Sequence, residues 1–339
     1  MKAAVYHGPK DIRIEEVELR KPKEDEVCIK IKYCGVCGTD IHIYEGDSGA
    51  FAVNPPLIPG HEFAGVVEAV GDAVEHLKVG DKVSGDPNIM CGRCYFCRNG
   101  MEHFCENVTG VGTTADGGFA QYTVMKASHA YKLPENIDLM TAAMAEPMSC
   151  CIHGIDLCEI KQGSTVLVIG AGPIGVIMLQ LAKLSGAAKL IVSEPVKEKR
   201  ELALKLGADL VIDPINEDIE KILSEYSKNV DCVIECAGSK RTQEQAVKLA
   251  GKFARVMFFG LTSPETEISI KPDDIFKKEL TIRSSFINPY TFSRAIDTLA
   301  SGSVDVKSII TNVVKLEDIK EVFKDPEYRR SGKVMISME

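Results

Sequence analysis

This chain of 339 residues has no uninterrupted apolar run near the roughly 20 residues that a bilayer-spanning helix needs. It also lacks a surplus of positive charge. Forty Lys and Arg stand against 49 Asp and Glu, a formal charge of −9. A nucleic-acid protein would need a basic face to displace counterions, so that class is disfavoured. Met1 to Tyr6 lack the charged-then-apolar layout of a signal segment, which predicts a cytoplasmic protein. No internal repeat and no low-complexity linker is visible. A hydrophobic share of 45% and a charged share of 26% exclude intrinsic disorder and a collagen-like repeat. The length predicts one large or two medium domains.

What the chain does have is cysteine, twelve of them. In a reducing compartment these are thiols or metal ligands and not disulfides. Cys91, Cys94, Cys97 and Cys105 follow the pattern C-x2-C-x2-C-x7-C. Short spacings let one loop point four thiolates at a tetrahedral centre, which closes the shell of a structural zinc. Arg93 and Arg98 lie where positive charge favours thiolate. An iron–sulfur cluster is the rival, because the first spacings suit one as well.

The first 150 residues read as short strands broken by Gly and Pro, with alternation at Val27–Tyr33 and strand signals at Phe63–Val70, Val79–Val83 and Gln121–Val124. Thr141–Cys158 has helical spacing, interrupted at Pro147. Beyond Gly163 the order becomes strand, helix, strand. Buried strands are predicted at Val166–Ile169, Leu190–Val192, Leu210–Ile212, Val233–Ile234 and Arg255–Phe259, with helices between them. Such alternation implies a parallel sheet covered on both faces.

The turn Gly170-Ala171-Gly172-Pro173-Ile174-Gly175 follows a buried strand and opens a helix, the context in which G-x-G-x-x-G binds a dinucleotide. Gly170 allows the turn, Gly172 lets backbone approach a pyrophosphate, and Gly175 lets helix pack on sheet. Pro173 and Ile174 start the helix whose N–H groups meet phosphate. Glu194, nineteen residues beyond Gly175, is placed to bind both ribose hydroxyls and to repel a 2′-phosphate, favouring NAD over NADP. Lys197, Lys199 and Arg200 lie close by and weaken that preference. A nucleotide-free turn and a methyltransferase-like adenosine site are the alternatives.

Cys34, Cys37, Thr39, Asp40 and His42 form one cluster of ligand-type residues, and His61-Glu62 another. Cys37 and His61 are 24 residues apart, so spacing does not prove that they share a metal.

The run G-H-E-x2-G-x5-G-x2-V, at Gly60, His61, Glu62, Gly65, Gly71 and Val74, resembles the signature of the zinc-containing medium-chain alcohol dehydrogenases. The C-G-x-C-G-T-D-x-H run, the four-cysteine loop and the G-A-G-P-I-G turn stand in that family's order across essentially the whole chain. Glu146-Pro147 followed by His153-Gly154 is similar to the polyol (sorbitol-type) branch, and Thr39–Tyr44 also resembles the threonine dehydrogenases. The resemblance implies an α/β fold: a GroES-like, mostly-β catalytic domain (1–150 and 286–339) and a Rossmann doubly wound parallel sheet binding NAD (151–285). It implies Cys37 and His61 as catalytic zinc ligands, and Glu62 as a third ligand or a switching carboxylate. Glu146 would lie near the metal, bound directly or through water. Thr39 would accept the alcohol proton, and His42 would be the next relay member. Two zincs per chain follow, one catalytic and one structural, with a homotetramer or homodimer as assembly.

Other readings attach to some of these residues. Glu146 could cap a helix, and Asp40 reads as a structural hydrogen-bonder. Cys28, Cys34, Cys150, Cys151, Cys158, Cys232 and Cys236 read as core fillers. Ile287 and Asn288 stand where sorbitol dehydrogenases carry an Arg-Tyr pair, which leaves another polyol, a cyclitol, a sugar-alcohol phosphate, a vicinal diol such as butanediol, or L-threonine as substrate. The rivals in class are a zinc-free reductase of the same superfamily and a non-catalytic nucleotide-binding protein on the same fold.

Overall fold

Two hydrophobic cores form in the computed structural model, which describes residues 1–47 and 51–339. They belong to two compact units. One comprises Met1–Ser149, Asn288–Gly302 and Ile310–Glu339; the other comprises Cys150–Ile287 and Ser303–Ile309. Residues 150, 286, 287 and 303–309 therefore belong with the second unit, whereas the bounds 1–150 and 286–339 expected from sequence place them in the first.

In the first unit the chain's alternating apolar residues build a curved sheet. Glu26–Gly35 is its centre, pairing antiparallel with Glu62–Val70, with Tyr122–Lys126 and with Lys333–Ser337. Val27, Ile29 and Ile31 point into the core and are at most 1% exposed. Lys82–Gly85 continues the sheet beyond Glu62–Val70. The strand expected at Val79 begins three residues later, because Lys78 and Asp81 close a turn with hydrogen bonds of 3.0 and 3.1 Å. Val79 is left 61% exposed.

Two helices cover Thr141–Cys158 in place of one broken helix: Leu139–Ala142 and Ala145–Cys158. The break comes before Pro147. That proline sits in the first turn of the second helix, where a missing N–H costs nothing.

The second unit carries a six-stranded parallel sheet. Taken in chain order its strands are Thr165–Ile169, Lys189–Ser193, Leu210–Ile212, Cys232–Glu235, Arg255–Phe258 and Thr281–Ser284, and their spatial order is 3-2-1-4-5-6. The central strand is buried on both faces, as its unbroken apolar run requires. The order reverses beside that strand, where open α/β sheets bind ligands. Among the described residues no helix is long and apolar enough to cross a membrane.

Candidate active site and dinucleotide cleft

Glycine at 35 is the physical key to the first cluster. In the central strand Gly35 lies opposite Glu62 on one side, and the strand carrying Lys333 pairs on the other. A Cβ at residue 35 would stand 2.1 Å from Glu62 Oε2 and 3.0 Å from Lys333 Cε. Without one, Lys333 Nζ reaches Glu62, donating to Oε1 at 2.5 Å. Both side chains are buried, at 5% and 1% exposure. Burial works against the Lys333 ammonium, but Glu62 and the Cys37 sulfur hold its pKa above the ordinary value. Two residues after Gly35, Cys37 precedes the helix Gly38–Glu45, and its N–H donates to Asp40 Oδ2 at 2.8 Å.

Cys37, His61 and Glu62 offer donor atoms that lie within 4.8 Å of one another. His61 Nδ1 is 3.4 Å from Asp40 Oδ1, and neither atom has a hydrogen-bond partner although both are buried. Burial lowers the imidazole's proton affinity, yet Asp40 and Cys37 more than offset it and push the pKa well above the usual value. A half-buried thiol beside buried carboxylates and imidazole, with this negative field, suits a divalent cation, and S, N and O donors suit zinc. Glu146, in the first turn of Ala145–Cys158, is 8% exposed and is not part of the trio. Its charge acts on Lys333 and on Asp86.

Thr39 is half-buried in the first turn of the Gly38–Glu45 helix, two residues from Cys37. His42, one turn on, is partly exposed, with Nδ1 3.6 Å from Asp47. Cys34 is fully buried and plays no part in the trio.

The second cluster is Cys91, Cys94, Cys97 and Cys105, also within 4.8 Å of one another. Backbone N–H groups of Arg93 and Cys94 bring the Cys91 thiol down to about 6. Burial and the neighbouring Cys94 and Cys105 sulfurs push Cys97 up to about 12. Cys105 Sγ accepts the N–H groups of Cys91 and Asn107 at 3.3 Å each. Four convergent sulfurs with N–H donors aimed at them fit a closed zinc site.

The third site is a cleft of about 450 Å³ in the second unit. Gly170, Gly172, Glu194 and Lys199 line it, together with Arg241, Thr242, Gln245 and Ile215, which belong to no sequence motif. Pro173, Ile174 and Gly175 are not among the lining residues; they form the first turn of the helix Pro173–Leu184. A Cβ at Gly175 would meet Gly170 O at 1.9 Å, so the helix can approach the turn only with glycine there. Glu194 is 5% exposed, and its oxygens accept the N–H groups of Ala171 at 2.7 Å and Val196 at 2.9 Å. Cys236 borders this cleft and is more than the core filler expected.

Lys333 and Asp47 were missed by sequence reading. A cationic residue opening the otherwise apolar Lys333-Val334-Met335-Ile336 strand was the signal for Lys333. Asp47 had none beyond proximity to His42.

Residues 23–135 match the family model of the alcohol dehydrogenase GroES-like domain, and residues 173–301 match that of the zinc-binding dehydrogenases. D-arabinitol dehydrogenase 1 of Uromyces fabae is 33% identical over 99% of this chain and 97% of its own length. L-threonine 3-dehydrogenase of Pyrococcus furiosus is 38% identical over 96% of this chain and 94% of its own. A zinc-binding dehydrogenase from Sinorhizobium meliloti 1021, solved bound to NADP, superposes with a TM-score of 0.95 at 36% identity, covering 99% of this chain and 98% of that one. The chain belongs to the zinc-binding medium-chain dehydrogenase/reductase family, related to the polyol and threonine dehydrogenases, and is a zinc-type NAD(P)-dependent dehydrogenase.

Proposed function

We propose that the enzyme transfers hydride between a secondary hydroxyl of a polyol, cyclitol or sugar-alcohol phosphate and NAD. The observation that carries this reading is the convergence of a half-buried Cys37 with the buried His61 and Glu62 in one cluster. Cys37 and His61 would hold the catalytic zinc, with Glu62, paired to Lys333, as third donor and Glu146 as a nearby carboxylate. Cys91, Cys94, Cys97 and Cys105 hold a second, structural zinc. Bound at the first site, zinc would supply Lewis acidity that lowers the pKa of a coordinated water or alcohol toward neutrality. NAD supplies the hydride acceptor.

The chain's own residues handle the proton. Thr39 Oγ1 would accept it from the substrate hydroxyl while releasing its own proton through the cofactor ribose to the partly exposed His42, which would pass one on to solvent; Asp47 lies 3.6 Å from His42 Nδ1. Asp40 fixes the Cys37 backbone and faces His61, keeping both donors oriented. Gly170, Gly172, Pro173, Ile174 and Gly175 would present the helix N-terminus to the pyrophosphate of a bound dinucleotide, and Glu194 and Lys199 would meet its ribose.

A hydroxylated substrate is supported by a buried polar cluster within reach of the Glu146 charge. Asn288 Nδ2 donates to Asp86 Oδ1 at 3.1 Å, and Asn88 Nδ2 donates to Asn288 Oδ1 at 2.6 Å. The D-arabinitol relative points the same way. Similarity to the Pyrococcus enzyme favours L-threonine as the second reading. The test is an NADH-absorbance assay with polyols, cyclitols, their phosphates, butanediol and threonine, each with NAD and NADP. Highest kcat/KM for a polyol-class compound with NAD is expected; highest kcat/KM for threonine or butanediol would replace this reading.

Assembly into a homodimer or homotetramer is part of the proposal. It is supported by the open edge of the strand Thr281–Ser284 and by Phe276, 80% exposed on the helix just before it.

A further inference from the structure

A 2′-phosphate on the adenosine ribose needs a cation, and arginine's planar fork is the side chain best suited to it. Arg200 lies six residues after Glu194 and directly follows Lys199; Glu194 and Lys199 line the cleft, and Arg200 itself does not. Its guanidinium is already engaged. Nη1 donates to the carbonyl oxygens of Glu194 and Pro195, both at 2.7 Å, and Nη2 pairs with Asp213 Oδ2 at 3.1 Å. The two side chains are only 17% and 16% exposed. Asp213 is itself fixed, accepting the Ile215 N–H at 3.0 Å and Asn216 Nδ2 at 3.1 Å. The next two residues, Pro214 and Ile215, line the same cleft as Glu194 and Pro195.

We infer that Asp213 sets coenzyme selectivity: by holding Arg200 on Asp213 and on backbone carbonyls, it keeps that cation from a 2′-phosphate. Glu194, locked by two N–H groups, then discriminates against NADP unopposed by Arg200. This rests on the reading of the cleft as a dinucleotide site. Replacing Asp213 by Asn keeps an oxygen for the Ile215 N–H but removes the charge that anchors the guanidinium.

The test is direct binding of NADH and NADPH to the zinc-loaded protein, followed by the coenzymes' own fluorescence, since the chain has no tryptophan. The wild type is expected to bind NADH more tightly. Asp213→Asn should shift the NADPH/NADH affinity ratio toward NADPH by at least about fivefold, and the double variant Asp213→Asn/Arg200→Met should return it. A shift below about twofold, or one that persists in the double variant, overturns the inference. Arg200→Met alone supplies a second test: a severalfold loss of NADPH affinity would mean that Arg200 already reaches the phosphate, and overturns it too. If the wild type binds neither coenzyme, the dinucleotide reading falls and the inference with it. If it binds both and the ratio is unmoved by Asp213→Asn, only the inference falls.

Discussion

At the scale of single residues, the buried Glu62–Lys333 pair is balanced on the absence of one side chain. Gly35→Ala would drive a methyl group into Glu62 Oε2 and the Lys333 stem, displacing the proposed third metal donor without substituting any of the three proposed ligands. The expected outcome is loss of zinc at that site and a fall in kcat of at least about tenfold, read by metal analysis and turnover; full zinc content with unchanged kcat would contradict it. Lys333→Met would leave the Glu62 carboxylate buried without its cation, at a cost of about 3–5 kcal/mol when no metal is bound. Urea unfolding of the chelator-treated protein measures that, and a cost below about 1 kcal/mol would show the pair to be dispensable. Asp86 titrates in an informative range. Burial pushes its carboxyl up to about 7, opposed by Asn288 and the Asn88 N–H and reinforced by Glu146 and Glu102. A carboxyl raised in the folded state binds more protons than in the unfolded chain, so its contribution to stability falls as pH rises from about 4 to about 7. The difference in unfolding free energy between wild type and Asp86→Asn should therefore slope against the wild type by up to about 1.4 kcal/mol per pH unit across that window. A flat difference would mean that Asp86 is not raised.

At the scale of elements, the strands of the parallel sheet were the most legible part of the chain. Thr165–Ile169 is buried at every position, so nothing but its apolar run was needed to find it. Leu167 is fully buried in the second unit's core, and Leu167→Ala should cost about 2–5 kcal/mol in denaturant unfolding; under 1 kcal/mol would mean the core closes over the gap. Legibility failed where side chains act on backbone. The turn at Lys78–Asp81 delayed a strand, and Pro147 opened a helix that its presence had suggested was broken. That Cys37, His61 and Glu62 would converge follows only from family resemblance, since strand pairing across residues 26–35, 62–70 and 333–337 is what brings Gly35, Glu62 and Lys333 together. Residues far apart in sequence meet through register, and register is a property of the whole sheet.

At the scale of the whole molecule, the chain leaves its first unit and returns to it. The excursion of Ser303–Ile309 into the second unit rests on contacts that no local pattern announces: the Asp305 N–H donates to Gln180 Oε1 at 2.8 Å, and Gln180 Nε2 returns a bond to the Asp305 carbonyl at 3.4 Å. Twelve cysteines divide by environment, four converging in one loop and Cys37 joining His61 and Glu62, while most of the others are buried among apolar neighbours. The proposed division is two zincs of different kind, one bracing a loop and one acting on substrate. The most direct test is zinc content per chain measured together with alcohol-dependent NADH formation in wild type and in Cys37→Ser. The account predicts two zincs in the wild type, and one zinc with activity reduced by at least about a thousandfold in the variant, in line with the barrier reduction asked of the metal. A Cys37→Ser protein that keeps two zincs and full activity would contradict it.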